Sequence, residues 1–266
     1  MRSKLLLCVP VFNGEKHIEE TLLSLKNQQD KCDIVVLDNG STDKSALIAK
    51  NIVGNSNVKS LGSSKSLGQS LNRSFSYAKS HHYKFVTICH ADDVYHSDFT
   101  KKTLSKFESN KKVSLIHTSC ELINGESFII LDPLKQISRR IINIILDICP
   151  GIKLKSLLFI VRNPIVAPSA TFRVSDLEAD YKFSENLTFH TDLMLWLKYI
   201  SDQKKILWIN SNLIKYRVHN LQKSMEFKDK DAFEEEFRQI LYSQKELPRF
   251  LLKFLFWLKV KARDIV

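Results

Sequence analysis

Short apolar runs alternate with helical stretches along the first 118 residues, and several of the runs stop at a cluster of polar turn residues. Leu5-Leu6-Leu7-Cys8-Val9 is continuously apolar, the pattern of a strand buried on both faces. Pro10 and Asn13-Gly14 end it, and a helix is expected from about Glu15, with Ile18, Leu22 and Leu25 at helical spacing. Asp33-Ile34-Val35-Val36-Leu37 is the next strand. It closes in Asp38-Asn39-Gly40-Ser41-Thr42-Asp43, a run of turn and N-cap residues. Helix resumes at Ala46. A weaker strand is expected near residues 58–61, a helix over 67–80, a strand over 84–89, a helix over 97–108 and a strand over 113–118. This alternation predicts an α/β fold built on a doubly wound, mostly parallel sheet with helices on both faces.

In such a sheet, ligands bind outside the carboxyl ends of the strands. Three polar clusters fall there, at residues 10–15, 38–43 and 90–93. Turn chemistry accounts for Asn13-Gly14 and for Ser41-Thr42. It accounts less well for five acids (Glu15, Asp38, Asp43, Asp92 and Asp93) gathered on one edge of a chain whose net charge is +11.

The third cluster carries the sharpest chemistry. His90-Ala91-Asp92-Asp93 follows the apolar run Phe85-Val86-Thr87-Ile88-Cys89. Adjacent carboxylates at the end of a buried strand repel each other and resist desolvation. A divalent cation relieves both costs, and oxygen ligands suit Mg²⁺ or Mn²⁺, which take one or two protein carboxylates plus substrate phosphates. The plainer reading is a strand end whose acids face water and cap the next helix.

Beyond residue 118 the pattern loosens. Residues 136–148 are basic and amphipathic. Residues 163–169 are extended, because each residue before a proline avoids the helical region. Ala170-Thr171-Phe172-Arg173 is expected to add a strand. Further on, an acid, Asp192, opens a helix whose apolar face includes Leu193, Trp196, Leu197 and Ile200, capped by His190 or Thr191. A strand at 206–209 leads to Tyr216-Arg217-Val218-His219, and a charged helical stretch spans 227–246. The tail, 247–266, mixes Phe250, Phe254 and Trp257 with Arg249, Lys253, Lys259, Lys261 and Arg263. That is the make-up of a basic amphipathic helix lying on a membrane surface; the alternative is a terminal helix packed on the domain.

Composition narrows the class. The chain has 266 residues, 44% hydrophobic, with only 7 Gly and 6 Pro, which leaves little room for flexible linkers. The positive balance favours anionic partners. Basic residues are scattered and no nucleic-acid motif occurs, so nucleic acid is not expected as a partner. Five widely spaced cysteines without a C-x-x-C pair read as reduced core thiols of a cytoplasmic protein. No apolar run reaches the length of a membrane span, and the N-terminal run is too short for a leader.

Taken together the motifs resemble family 2 of the inverting glycosyltransferases, with the GT-A nucleotide-sugar fold. The likeness spans about residues 4–224. Val9-Pro10-Val11-Phe12-Asn13-Gly14-Glu15 and Asp38-Asn39-Gly40-Ser41-Thr42-Asp43 look like the two nucleotide-binding loops. Leu67-Gly68-Gln69-Ser70-Leu71-Asn72 is similar to the helix before the metal motif, and Ala91-Asp92-Asp93 to that motif itself. His190-Thr191-Asp192 looks like the acidic pair before an aromatic-rich helix, and Tyr216-Arg217-Val218-His219 like the late Tyr-Arg-x-His segment.

The resemblance implies roles. Asp38 accepts the ring N–H of a uracil or thymine base, and Pro10, Phe12 and Glu15 line the base and ribose pocket. Asn13, Ser41, Asp43, Asn72 and Ala91 complete the donor site. Asp92 binds Mn²⁺ or Mg²⁺ bridging the donor phosphates, with Asp93 beside it; Arg217 and His219 approach the diphosphate or the metal. Asp192 is the general base. The implied organisation is a nucleotide-sugar half over 1–118, an acceptor and catalytic half of the same domain over 119–224, and a helical, basic C-terminal extension over 225–266. The implied activity is metal-dependent, inverting transfer of a sugar from a UDP or dTDP donor to an acceptor hydroxyl. The acceptor is a glycan or lipid-linked glycan of a surface polysaccharide; the charge and amphipathic pattern of the tail and of the segment around Arg139-Arg140, not the family motifs, point to peripheral attachment at the inner face of the plasma membrane. Three positions depart from the family pattern. His90 stands where Asp is frequent, Thr191 where Glu or Asp is frequent, and Ser66 where glycine is usual. The first two open an alternative, a nucleotide-sugar-binding protein without turnover. A nucleotidyltransferase would carry a Gly- and Arg-rich first loop, whereas residues 10–16 contain only Gly14.

Overall fold

The computed structural model describes residues 3–149, 151–219, 230–244 and 247–263. Its first half is the expected winding: β1 (Leu5–Val11), α1 (Ile18–Lys26), β2 (Asp33–Asp38), α2 (Ser45–Val53), β3 (Val58–Ser60), α3 (Leu67–Ser80), β4 (Phe85–Ile88). Four strands pair in parallel in the order β3-β2-β1-β4. Central β1 is buried from Leu5 to Val9, and successive side chains serve opposite faces. Leu6 and Cys8 join Val35, Leu37, Val86 and Ile88 in one core, while Leu5, Leu7 and Val9 join Val36 and Phe85 in the other. Pro10 lies past the last β1–β4 pair, Cys8 with Ile88, where its missing N–H has no β4 partner to serve.

The second half supplies β5 (Val94–Tyr95), α4 (Phe99–Ser109), β6 (Val113–Ile123), β7 (Ile129–Ile130), α5 (Pro133–Ile148), α6 (Ile152–Val161), β8 (Thr171–Arg173), α7 (Thr191–Ser201) and β9 (Lys205–Arg217). The short strand at Thr171 is real and has a specific job. It lies between β4 and β6, antiparallel to both, with Thr87 Oγ1 and Thr171 Oγ1 hydrogen-bonded at 2.7 Å. Long β6 and β9 then run parallel, and β5 pairs antiparallel with the end of β9. Two strands of two residues each, β5 and β7, extend this half.

The C-terminal helices are α8 (Lys230–Ser243) and α9 (Arg249–Arg263). Phe237, Ile240 and Leu241 of α8 and Leu252 and Leu255 of α9 enter the same core as α3 and α7. Phe250, Phe254 and Trp257 point outward from α9. The tail is therefore packed on the domain by one face and carries an exposed aromatic stripe on the other. Of the sequence expectations for this region, residues 225–229, 245–246 and 264–266 lie outside the described residues, as do the side chains of Lys259, Lys261 and Arg263. No helix among the described residues is long and apolar enough to cross a membrane.

Candidate functional site

Two loops at the carboxyl edge are zipped together by reciprocal hydrogen bonds. Asn13 N donates to Ser41 Oγ (3.0 Å), Gly14 N to Ser45 Oγ (2.8 Å) and Glu15 N to Asp43 Oδ2 (3.0 Å). In return Thr42 N donates to Asn13 Oδ1 and Lys44 N to Glu15 Oε2, both at 2.9 Å. Burial raises the Asp43 pKa, but hydrogen bonds from Ser45 and from Glu15 N outweigh it and hold the carboxylate below its usual range. Asp38 is buried and accepts Ser41 N at 3.0 Å, closing its own turn. Asn39 is buried beside it, donates to Ser70 Oγ and accepts from Arg73 Nη1 at 2.6 Å. Arg73 in turn holds the carbonyls of Gly62 and Ser63. Gly40 has φ +87°, and a Cβ there would stand 3.0 Å from Ser63 N, so this turn needs glycine twice over. Phe12 stands exposed at the mouth of the edge and Pro10 half-buried behind it.

Ala91 lies against the first loop: a Cβ on Gly14 would sit 3.5 Å from Ala91 Cβ. Ligand atoms of His90, Asp92 and Asp93 lie within 4.8 Å of one another. Asp93 is fully buried. Its Oδ1 accepts Arg217 N at 2.8 Å, while its Oδ2 has no hydrogen-bond partner and lies 3.9 Å from His90 Nδ1. Burial, then the neighbouring Asp92, pushes the Asp93 carboxyl well above the ordinary range. An orphaned carboxylate oxygen beside a second carboxylate and an imidazole is a donor set that fits Mg²⁺ or Mn²⁺. His219 Nε2 lies 3.0 Å from Asp92 Oδ2, and the His17 ring lies 5.1 Å from that of His219. His17 is buried, with Nε2 unpartnered, and burial plus the Arg217 charge lowers its pKa to about 4.

Arg217 is placed differently from a residue that meets a diphosphate directly. Its side chain is fully buried. Nε donates to the Asp92 carbonyl (2.7 Å), Nη1 to Ser127 Oγ (2.9 Å) and to the Asn124 carbonyl (3.1 Å), and Nη2 pairs with Glu20. It braces the acidic turn from behind. Asn72 is likewise committed elsewhere: its amide clamps Phe183 through both main-chain groups and reaches Glu185 Oε1 at 3.1 Å. Ser66, where glycine is usual, is simply the N-cap of α3, accepting Gln69 N at 3.2 Å from an extended backbone.

Asp192 opens α7. Its Oδ1 accepts Leu193 N (2.8 Å) and its Oδ2 accepts Asn163 Nδ2 (3.0 Å). Burial raises its pKa despite these donors. The His90 imidazole lies within electrostatic reach of both Asp92 and Asp192, which together oppose the lowering of its pKa by burial. Tyr216 also feels Asp93, Asp92 and Asp192. The acidic turn and the helix-opening carboxylate thus share electrostatic neighbours in His90 and Tyr216. The loop before Asp192 hangs on α8, where Glu236 accepts Thr188 N at 2.6 Å and Phe189 N at 2.8 Å.

A profile described as "Glycosyl transferase family 2" matches residues 6–144, just over half of the chain. The chain belongs to that family. This family 2 transferase is 24% identical to the uncharacterized glycosyltransferase MJ1057 of Methanocaldococcus jannaschii, over 77% of the chain and 67% of that protein. Among solved structures it is similar to S. aureus TarS in complex with UDP-GlcNAc (TM-score 0.66, 19% identity, 96% of this chain and 70% of the other). It is also similar to the mannosyltransferase PcManGT of Pyrobaculum calidifontis with GDP-Man and Mn²⁺ (TM-score 0.62, 14% identity, 98% and 70%). Glucosyl-3-phosphoglycerate synthase of Mycobacterium tuberculosis, with Mn²⁺, UDP and glucosyl-3-phosphoglycerate, aligns at TM-score 0.54 (17% identity, 80% and 72%). These likenesses establish the GT-A fold, and the family establishes a glycosyltransferase.

His17, Asn163 and Glu236 were not singled out by the sequence. No local pattern marks them, because each acts on a residue far away in the chain.

Proposed function

We propose that this transferase moves a sugar from a UDP or dTDP donor to an acceptor hydroxyl with inversion, using Mn²⁺ or Mg²⁺. The observation that carries the reading is the cluster of His90, Asp92 and Asp93, whose ligand atoms lie within 4.8 Å of one another and include the unpartnered Asp93 Oδ2. Asp38 takes the base, with Pro10, Phe12, Asn13, Glu15, Ser41 and Asp43 shaping the base and ribose pocket. Ala91 offers main chain near the phosphates. Asp92, Asp93 and His90 would hold the cation, with His219 at its edge; when bound, a divalent ion stabilises charge on the departing diphosphate. Arg217 keeps the turn in register, and Asn72 sets the segment leading to Asp192. Asp192 takes the acceptor proton during attack, and Asn163 aims it. A single displacement needs one such carboxylate, unlike glycosidases, which use two. Complexes of the neighbours with UDP-GlcNAc, with GDP-Man and Mn²⁺, and with UDP and Mn²⁺ support the donor class and the ion.

The acceptor in this reading is a glycan or lipid-linked glycan of a surface polysaccharide. Attachment to the cytoplasmic face of a membrane would use the outward stripe Phe250, Phe254 and Trp257 on α9. Five free thiols fit a reducing compartment. The test is a panel of UDP-, dTDP- and GDP-sugars assayed for binding and hydrolysis with and without Mn²⁺, followed by the anomeric configuration of the product. Binding of no nucleotide sugar, or a retained configuration, overturns the reading. Replacing Phe250, Phe254 and Trp257 by serine tests the attachment by vesicle co-sedimentation.

A further inference from the structure

Helix α5 is inside out. Leu134 and Ile148 are 81% and 77% exposed, and Ile137, Ile141 and Ile144 are exposed with them, while Asn143 on the opposite side is 4% exposed. Its polar side lines a small, open cleft against β6, β9 and the Pro164–Val166 segment. Apolar burial is the usual driving force for seating a helix, so one that leaves Leu134, Ile137, Ile141, Ile144 and Ile148 exposed while burying Asn143 is not held by packing alone.

The arginines are the notable content of that cleft. Arg139 lines it and meets only Cys120 Sγ, at 3.6 Å. Arg140 stands at its rim. Arg162, one residue before Asn163, lies beside the cleft rather than in its lining; its Nε is buried without a hydrogen-bond partner, and its charge opposes that of Arg139. Asp132 acts on Arg162 from a distance, but no carboxylate pairs with any of the three at ion-pair distance among the described residues. Elsewhere the buried arginine of this chain, Arg217, is matched by Glu20. Unmatched guanidinium groups gathered around a cleft make a site for an oxyanion, and their planar forks suit phosphate in particular.

The cleft also has the right address. Pro164 is the neighbour of Asn163, which holds Asp192. Cys120, on the cleft wall, feels both Arg139 and Asp93. Gln136, Asn143 and Asn212 add amides that would meet hydroxyls around the anion.

We propose that Arg139, Arg140 and Arg162 form an acceptor subsite for a phosphate group, so that the sugar is transferred to a hydroxyl on a phosphate-bearing acceptor. This deepens the glycosyltransferase reading and rests on it for the reaction, though not for the binding. A carboxylate would leave excess positive charge among three guanidinium groups; a phosphate matches it better.

The experiment titrates inorganic phosphate into full-length protein already saturated with UDP and Mg²⁺, so that the donor phosphate site is filled. Calorimetry is expected to show one further site in the wild type, weakened at least tenfold in R139A/R140A, with UDP affinity unchanged. R139K keeps the charge and loses the fork, and is expected to fall between. Glycerol 3-phosphate and vesicles of phosphatidylcholine containing phosphatidic acid then separate a soluble acceptor from a lipid headgroup: selective loss of either interaction in R139A/R140A assigns the source. Phosphate binding that is absent in the wild type, equal in the double variant, or matched by glucuronate overturns the subsite. Failure of UDP and Mg²⁺ to bind would instead strike the donor reading, and the phosphate titration is then run on the free protein.

Discussion

Arg217 and Asp93 stand 124 residues apart and meet through a main-chain amide, Arg217 N donating to Asp93 Oδ1 at 2.8 Å. The last residue of β9 thereby fixes a carboxylate just past β4, while the same residue's guanidinium holds the Asp92 carbonyl and the 124–127 turn. Replacing Arg217 by methionine removes the guanidinium but keeps the amide. Several buried acceptors lose their donors, so urea unfolding is expected to show a loss of about 2–4 kcal/mol. Cation affinity falls as well, because Asp92 is no longer braced.

Asp93 carries a cost that the proposed cation would relieve. Its Oδ2 is buried without a partner beside Asp92. Asp93→Asn retains the acceptor for Arg217 N and replaces a carboxyl whose charged form is disfavoured by burial and by Asp92 with a neutral group. The metal-free protein is expected to melt higher, by about 2–4 °C for each kcal/mol relieved. The further rise on adding Mn²⁺ should shrink or vanish. A variant that melts lower without metal, with the Mn²⁺ response intact, contradicts the assignment.

Asp192→Asn is expected to lower kcat by about 10² to 10⁴-fold with UDP affinity unchanged, measured by turnover and by calorimetry. The pH profile follows from the raised pKa of Asp192, caused chiefly by burial. As the proposed base, Asp192 would work as the carboxylate, so activity is expected to be lost as pH falls through that raised value, with the acid limb of kcat/KM above the ordinary carboxylate range. Asn163→Ala removes a donor that favours the charged form and should move this limb further up.

Much of the donor side can be read from residues alone. β1 and α3 follow local periodicity, and α3 occupies residues 67–80 as its pattern predicts. The two polar loops at residues 10–15 and 38–43 and the acidic turn announce themselves because each sits at the end of an apolar run. Other features depend on distance. α6 has almost no polar face over Ile152–Val161, so its pattern does not distinguish helix from buried strand. β5 and β7 have two residues each and exist only through β9 and β6. Asn72 looks like a donor-site amide in sequence, yet in space it belongs to Phe183. Residues 136–148 read as basic and amphipathic, and nothing local shows that Arg139 lines a cleft while Arg140 beside it is exposed.

Gly68 gives the sharpest steric prediction. A Cβ there would stand 2.0 Å from the Ser184 carbonyl oxygen, a main-chain atom that has little room to yield. Gly68→Ala is expected to push α3 away from residues 184–185 and cost about 1–3 kcal/mol in urea unfolding. The Asn72 clamp on Phe183 should loosen with it.

Glu236 holds the amides of Thr188 and Phe189, with His190 Nδ1 3.5 Å away. Glu236→Ala orphans both amides on the loop that presents Asp192. Turnover is expected to drop about tenfold or more with nucleotide affinity unchanged, since geometry lost at a base is costly even at 1 Å. Glu236→Gln, which can still accept one amide, should recover part of it.

That tie has an order in time. The donor loops and the acidic turn lie within the first 93 residues to leave the ribosome, whereas the anchor for the catalytic loop arrives about 140 residues later. The nascent chain therefore carries both loops and the acidic turn long before it carries Arg217, which braces that turn, or α8, which holds residues 188–189.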